Sequence, residues 1–189
     1  MTLRAAILLT FTAALAGCGG TTTRYAVPSP LAEEAAPRIA SKYGSLEIRE
    51  ISLPTYASSE EIATRDADGA IVSEKTLLWA DEPSRAITLE LSRLLGQMTR
   101  AQVAAEPWPF LDRAAAQVDV RVEEMLADEI GGFQLSGQYY VAPDSGNGGR
   151  SGLFSITVPI VGEGARVIAA ARGVAVRQLA EQIAREGLR

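Results

Sequence analysis

Val118-Asp-Val-Arg-Val-Glu123 and Phe133-Gln-Leu-Ser-Gly-Gln-Tyr-Tyr-Val141 alternate apolar and polar residues, and Gly131-Gly132 lies between them. Successive side chains on a strand point to opposite faces, so each stretch offers one face to a core and one to water. Two such stretches around a glycine pair predict a long antiparallel hairpin. Phe154-Ser-Ile-Thr-Val-Pro-Ile160 alternates again behind a Pro/Gly/Ser-rich loop at 142–152, with Pro159 at an edge-compatible position.

The pattern changes period on both sides of this meander. After it, Ala165–Gly187 reads as a long amphipathic helix with the stripe Ile168, Ala171, Ala175, Leu179 and Ile183. Arg177, Glu181 and Arg185 stand four apart on its polar face. Before it, Ile87, Leu91, Leu94, Leu95 and Met98 define a second helix, capped by Asp81 or Ser84, with Pro83 in its first turn and Gly96 as its stop. Further upstream, Leu46–Leu53 reads as a strand whose apolar parity switches near Glu50, which predicts a bulge there, and Pro54 ends it. Ile62–Arg65 and Ala70–Ser73 flank the turn Asp66-Ala67-Asp68-Gly69, and Thr76–Ala80 reads as a separate short strand. The expected fold is α+β, a mostly antiparallel sheet with two main helices packed on one face.

Composition narrows the chemistry. The chain has 189 residues with no His, one Cys and a formal charge of −5. Without His there is no Ser-His-Asp or Cys-His catalysis and no His-containing zinc site. One Cys excludes an intrachain disulfide and iron–sulfur ligation. The acidic balance gives no footprint for nucleic acid.

The N-terminus accounts for the single Cys. Met1–Arg4 is a short positive region, and Ala5–Ala16 is apolar except for Thr10 and Thr12. A helix of that length covers ~18 Å, short of the ~30 Å hydrocarbon core, so it reads as a signal peptide over residues 1–17. Leu15-Ala16-Gly17-Cys18 resembles the bacterial lipobox, which predicts acylation of Cys18 and cleavage before it. Three acyl chains hold a protein firmly where one binds only marginally. Gly19, in place of the Asp that retains enterobacterial lipoproteins at the inner membrane, favours the outer membrane. The mature chain has 172 residues with a formal charge of −6. Residues 18–30 are expected to form a lipidated, flexible tether, extended around Pro28 and Pro30, and residues 31–187 the domain. Leu31–Tyr43 reads as a weak helix or a linker.

Other candidates have ordinary explanations. Ser145–Arg150 is glycine-rich but leads into a strand pattern, so it reads as a hairpin loop and not a phosphate cradle. Asp66 and Asp68 lack the later Glu of a calcium loop and read as a turn. Asp119, Glu123, Glu124, Asp128 and Glu129 cluster along one hairpin arm, mostly on its solvated face. Lys42 and Lys75 sit in no serine–lysine signature. Trp79 is expected in the core. Pro107-Trp108-Pro109-Phe110 presents two aromatics in a loop, either folded back on the core or exposed as a partner contact through Trp108 and Phe110.

Taken in order, several segments resemble the ABC-type transport auxiliary lipoproteins, the paraquat-inducible protein C group (PqiC, YmbA). They are Tyr25–Pro28 soon after the lipid cysteine, Leu46–Tyr56 ending in Leu-Pro-x-Tyr, and Trp79–Leu95 with its Pro-containing helix start. The hairpin 118–142 and the closing helix with Ala169-Ala-Ala-Arg-Gly-Val-Ala-Val-Arg-Gln-Leu-Ala-Glu-Gln-Ile-Ala184 complete the series. The group has Leu where Ala26 or Val27 falls.

The resemblance implies a non-catalytic lipoprotein without cofactor or metal that accompanies ABC transporters and periplasmic proteins with mammalian-cell-entry (MCE) domains in intermembrane lipid transport. It also implies outer-membrane placement on the periplasmic face and assembly as a homo-oligomeric ring. The alternative is a periplasmic lipoprotein that takes a lipid or small apolar ligand into its own pocket. An enzyme using the acidic arm of the hairpin ranks third.

Overall fold

The computed structural model describes residues 22–28, 38–128, 132–146 and 148–189. The hairpin dominates it. Strand β6, Ala116–Asp128, pairs antiparallel with β7, Gly132–Pro143, over its whole length, and β7 pairs antiparallel with β8, Arg150–Val158. Alternation decides the faces: Val118, Val120, Val122, Leu135, Tyr139, Val141, Phe154 and Ile156 are buried. The strands outrun the loop expected at 142–152, which shrinks to 144–149 because Ala142 and Pro143 stay paired with Gln117 and Ala116.

The other edge of β6 is shared by two short parallel strands. Strand β2, Ser45–Ile48, lies beside its first residues, and β3, Glu61–Arg65, beside its last. Strand β4, Ile71–Trp79, returns antiparallel along β3, while β1, Thr23–Tyr25, and β5, Gln102–Ala105, add parallel partners to β4 and β2. The sheet is therefore mixed, and mostly antiparallel by length of pairing. Helix α1 is a single turn, Thr55–Ser58, entered through Pro54. Helices α2, Pro83–Met98, and α3, Ala165–Gln182, feed one core cluster with the inward face of the sheet. A π-helical turn, Ile183–Gly187, continues α3.

Several expectations are corrected. The bulge expected near Glu50 is absent, because β2 ends at Ile48. The chain still tracks β6 through Arg49 N–H to Val118 O (2.9 Å) and Ser52 N–H to Val120 O (3.1 Å), which accommodates the parity change without a ladder. The shift falls in β6 itself, between Val122 and Glu124. Thr76–Ala80 is no separate strand but the end of β4.

Helix α2 is capped by Glu82, whose carboxylate accepts from Ser84 N–H (2.9 Å) and Arg85 N–H (2.6 Å). Gly96 does not stop the helix, which runs on to Met98 over Val103. The tether expected to be flexible over 18–30 includes β1, fixed because β4 offers it a free edge at Leu77–Trp79. Within Leu31–Tyr43, residues 31–37 lie outside the described residues. Ile39 bridges to Thr99, and its N–H donates to Met98 O at 2.7 Å.

Candidate functional site

Cys18, the expected anchor, lies outside the described residues. A few positions further on, residues 23–28 form a strap over the sheet edge and α3. Tyr25 O accepts from Ala80 N–H (2.9 Å), and Arg24 donates to Trp79 O (3.2 Å) and to Glu60 Oε2 (2.8 Å). The strap crosses α3 at Gly173, where a Cβ would stand 3.0 Å from Val27 Cγ1 and 3.1 Å from Pro28 O. Any side chain there would require Val27 and Pro28 to give way by a few tenths of an ångström. A Gly173→Val variant should lift the strap and speed hydrogen exchange at Ala80 N–H. Unchanged exchange would show that Val27 and Pro28 do not hold it.

Beneath the strap lies a buried ion pair that sequence reading missed. Arg172 Nη2 stands 3.6 Å from Glu90 Oε2, both side chains are nearly inaccessible, and the guanidinium carbon lies 4.8 Å from the Trp79 ring centre. Glu90 Oε1 and Arg172 Nε have no hydrogen-bond partner among the described residues. Burial pushes the Glu90 carboxyl above its ordinary range against the pull of Arg172, and burial lowers the Arg172 guanidinium. Trp79 is in the core as expected, 3% exposed. Arg172 and Glu90 sat unnoticed in helical patterns because a charged residue on an apolar stripe has no signal until its partner helix is placed.

The Trp108 loop has both characters that the sequence allowed. It runs from β5 to β6 across the face of β2 opposite the helices, where Glu47 alternates with buried Leu46 and Ile48. Glu47 holds it: Oε1 accepts from Trp108 N–H (3.1 Å) and Oε2 from Gln117 Nε2 (2.7 Å). The indole N–H of Trp108 is spent within the loop on Asp112 O at 2.6 Å, and its ring meets Phe110 edge-on at 4.9 Å. Trp108 is half-buried, whereas Phe110 is 45% exposed and Leu111 fully so. The loop is thus a rigid platform with an apolar tip.

The acidic arm is engaged in ion pairs and hydrogen bonds along the hairpin. Asp119 pairs with Arg121 (3.1 Å), Glu123 accepts from Gln138, and Glu124 and Asp128 flank Arg65, while Glu129 lies outside the described residues. Asp66 Oδ1 caps its own turn, accepting from Asp68 N–H (3.0 Å) and Ala70 N–H (2.8 Å). Among the described residues no group of three or more His, Cys, Asp or Glu is placed to hold a metal ion, and no helix is long and apolar enough to cross a membrane. A cavity of about 800 Å³ opens at the far end of β6, lined by Thr64, Asp128, Pro159, Ile160, Glu163 and Val167 among others.

Comparison with known proteins bears on the chain as a whole. The family model described as ABC-type transport auxiliary lipoprotein component matches residues 25–184. Among curated proteins none matches. A solved crystal structure of an uncharacterized protein is similar at 16% identity and a TM-score of 0.71, over 88% of this chain and 99% of that one. A Xanthomonas campestris protein of the DUF330 family model is similar at 16% identity and a TM-score of 0.60, over 87% of this chain and 91% of that one. A PelC dodecamer from Paraburkholderia phytofirmans aligns at 12% identity and a TM-score of 0.46, over 79% of this chain and 92% of that one. At these identities the first two likenesses concern the fold alone.

Proposed function

Because the chain belongs to the ABC-type transport auxiliary lipoprotein component family, we propose that it is the lipid-anchored accessory subunit of an ABC/MCE-type intermembrane lipid transport system. The observation that carries this reading is the family match across residues 25–184 directly behind a lipobox. Members of this family are auxiliary to transport and not catalytic, so the protein's work is to be in place and to bind. Acyl chains on Cys18 hold it at the periplasmic face of the outer membrane, and copies assemble into a ring that receives the periplasmic partner.

The Trp108 loop supports a contact role. Two rigid aromatics beside a fully exposed Leu111, braced from behind by Glu47, lose little conformational freedom on docking. Purification of the full chain from detergent extracts should recover an MCE-domain partner. Trp108→Ala with Phe110→Ala should lose it, at a cost of about 2 kcal/mol or more in affinity. Far-UV circular dichroism should stay unchanged. Undiminished recovery would remove the loop from the interface.

The anchor makes a separate prediction. Cys18→Ser should move the protein from the membrane fraction to the soluble one, since no acyl chain is then attached. A variant that stays wholly with membranes sinks the anchor. A second reading, a lipoprotein that binds a lipid or small apolar ligand alone, finds room in the cavity of about 800 Å³, although Thr64, Asp128 and Glu163 line it beside Ile160 and Val167, so its volume and not its chemistry suits such a ligand. Stoichiometric lipid in native mass spectra, with no protein partner recovered, would support that reading over the first.

A further inference from the structure

The register of one three-residue strand sets the sense in which the chain enters the sheet from the side of Cys18. Strand β1 runs parallel to β4, with Thr23 beside Leu77 and Tyr25 beside Trp79. The chain preceding Thr23 therefore starts out in the direction that β4 takes from Leu77 back to Ile71, toward the turn Asp66–Gly69. From Cys18 to Thr23 is a span of five residues, at most ~17 Å when fully extended. The six residues Ile71–Thr76 carry the β3–β4 hairpin ~20 Å beyond Leu77 on the same side. The hairpin thus projects about as far from the β1 attachment as the tether can reach.

We propose that the β3–β4 hairpin, led by Ile71 and Val72, rests on the bilayer surface, with the Trp108 loop turned away from it. This orientation rests on the proposed acylation of Cys18. Acyl chains set Cys18 at the lipid–water interface, and the short span leaves the hairpin no room to stand clear of it. Ile71 and Val72 are 44% and 43% exposed, and β4 has no described partner on its outer edge over residues 71–76. Asp66, Asp68, Glu74 and Lys75 give the hairpin from 66 to 76 a net charge of −2, so anionic lipid does not draw it in and the tether supplies the contact. The Trp108 loop rejoins the sheet at Ala116, the other end of a strand ~40 Å long, which leaves it free for a partner coming from the periplasm.

The strap is what makes the orientation definite. Without the Tyr25–Ala80 hydrogen bond, the Arg24–Glu60 pair and the fit over Gly173, the next attachment among the described residues would be that of Ile39, and a fully extended chain from Cys18 to there spans ~70 Å.

The test uses the full lipidated chain in phosphatidylethanolamine/phosphatidylglycerol vesicles that carry a nitroxide quencher on the headgroup. Acylation occupies the Cys18 thiol, so Val72→Cys or Leu111→Cys gives a single labelling site for a fluorophore. The label at 72 is expected to lose most of its emission and the label at 111 to keep it. A flexible Gly/Ser insert of about twenty residues after Thr21 is expected to erase the difference because its coil adds ~25 Å of reach. Chains that do not float with vesicles would overturn the anchor and this orientation with it. Chains that float but show equal quenching at both positions, or more at 111, would overturn the orientation alone. A label at 72 shielded from aqueous quencher yet untouched by the lipid one would place a second copy of the chain on the β4 edge instead, and would overturn the membrane contact.

Discussion

Gly137→Ala is expected to cost at least ~3–4 kcal/mol, enough to leave a domain of ordinary stability largely unfolded on mild heating. Gly137 sits in the middle of β7 at φ +155°, opposite Val122, where the β6 register shifts. A Cβ there would overlap the carbonyl oxygen of Arg121 and press on Val122 Cα at 2.9 Å and on the Phe154 ring at 3.0 Å. Two of these three neighbours are backbone of the partner strand, so relief requires the central hairpin to part. Overpacking of this kind is felt because interiors have no spare volume. Urea denaturation of the Cys18→Ser chain measures the loss, with Ser136→Ala next door as a reference. A Gly137→Ala midpoint equal to the reference would show that the shift in β6 can move at little cost.

Arg172→Met should be the second large effect, near 3–5 kcal/mol, because it strands the Glu90 carboxylate in the core without its countercharge. The pH dependence comes from the direction of the Glu90 shift. A carboxyl whose folded-state value is raised keeps its proton longer when folded than when unfolded, so stability falls as pH rises through and above the ordinary carboxylate range. Removing Arg172 takes away the larger opposing pull, leaving that of Arg93, and should extend that fall to higher pH. The double variant Arg172→Met with Glu90→Leu should recover to within ~1 kcal/mol of the parent or exceed it, since the desolvation penalty goes with the charges. A single variant that costs under ~1 kcal/mol, or a double no better than the single, would mean that water reaches the pair. Emission from Trp79 should also change in the single variant, because the guanidinium leaves its ring face.

Both predictions concern features that the sequence carried without announcing. Gly137 sat within a clean alternating strand, and nothing local says that a partner carbonyl will come so close. Arg172 lay inside the alanine-rich run that carried the family resemblance, as one charge in an amphipathic pattern. The hairpin, read from the alternation at 118–123 and 133–141, and the stripe Ile87, Leu91, Leu94 and Leu95 were legible because burial on one face writes a period into the chain itself. Boundaries were less so: Glu82, and not Asp81 or Ser84, took the cap, and β7 ran two residues further than its alternation.

Residue identity and periodicity are local properties, so the chain alone gave the classes of chemistry open to the protein, a segment that resembles a lipobox, a two-period pattern and the family. The tertiary structure decided that four of the pairings are parallel, that Arg172 and Glu90 meet beneath the strap, and that the Trp108 loop braces on Glu47 with Phe110 and Leu111 at its tip. It also decided the direction in which the chain leaves toward Cys18. The reason is physical: a strand's own pattern says which face is buried but not which neighbour it takes or in which sense, and that choice is made only when separate elements compete for the same sheet edges.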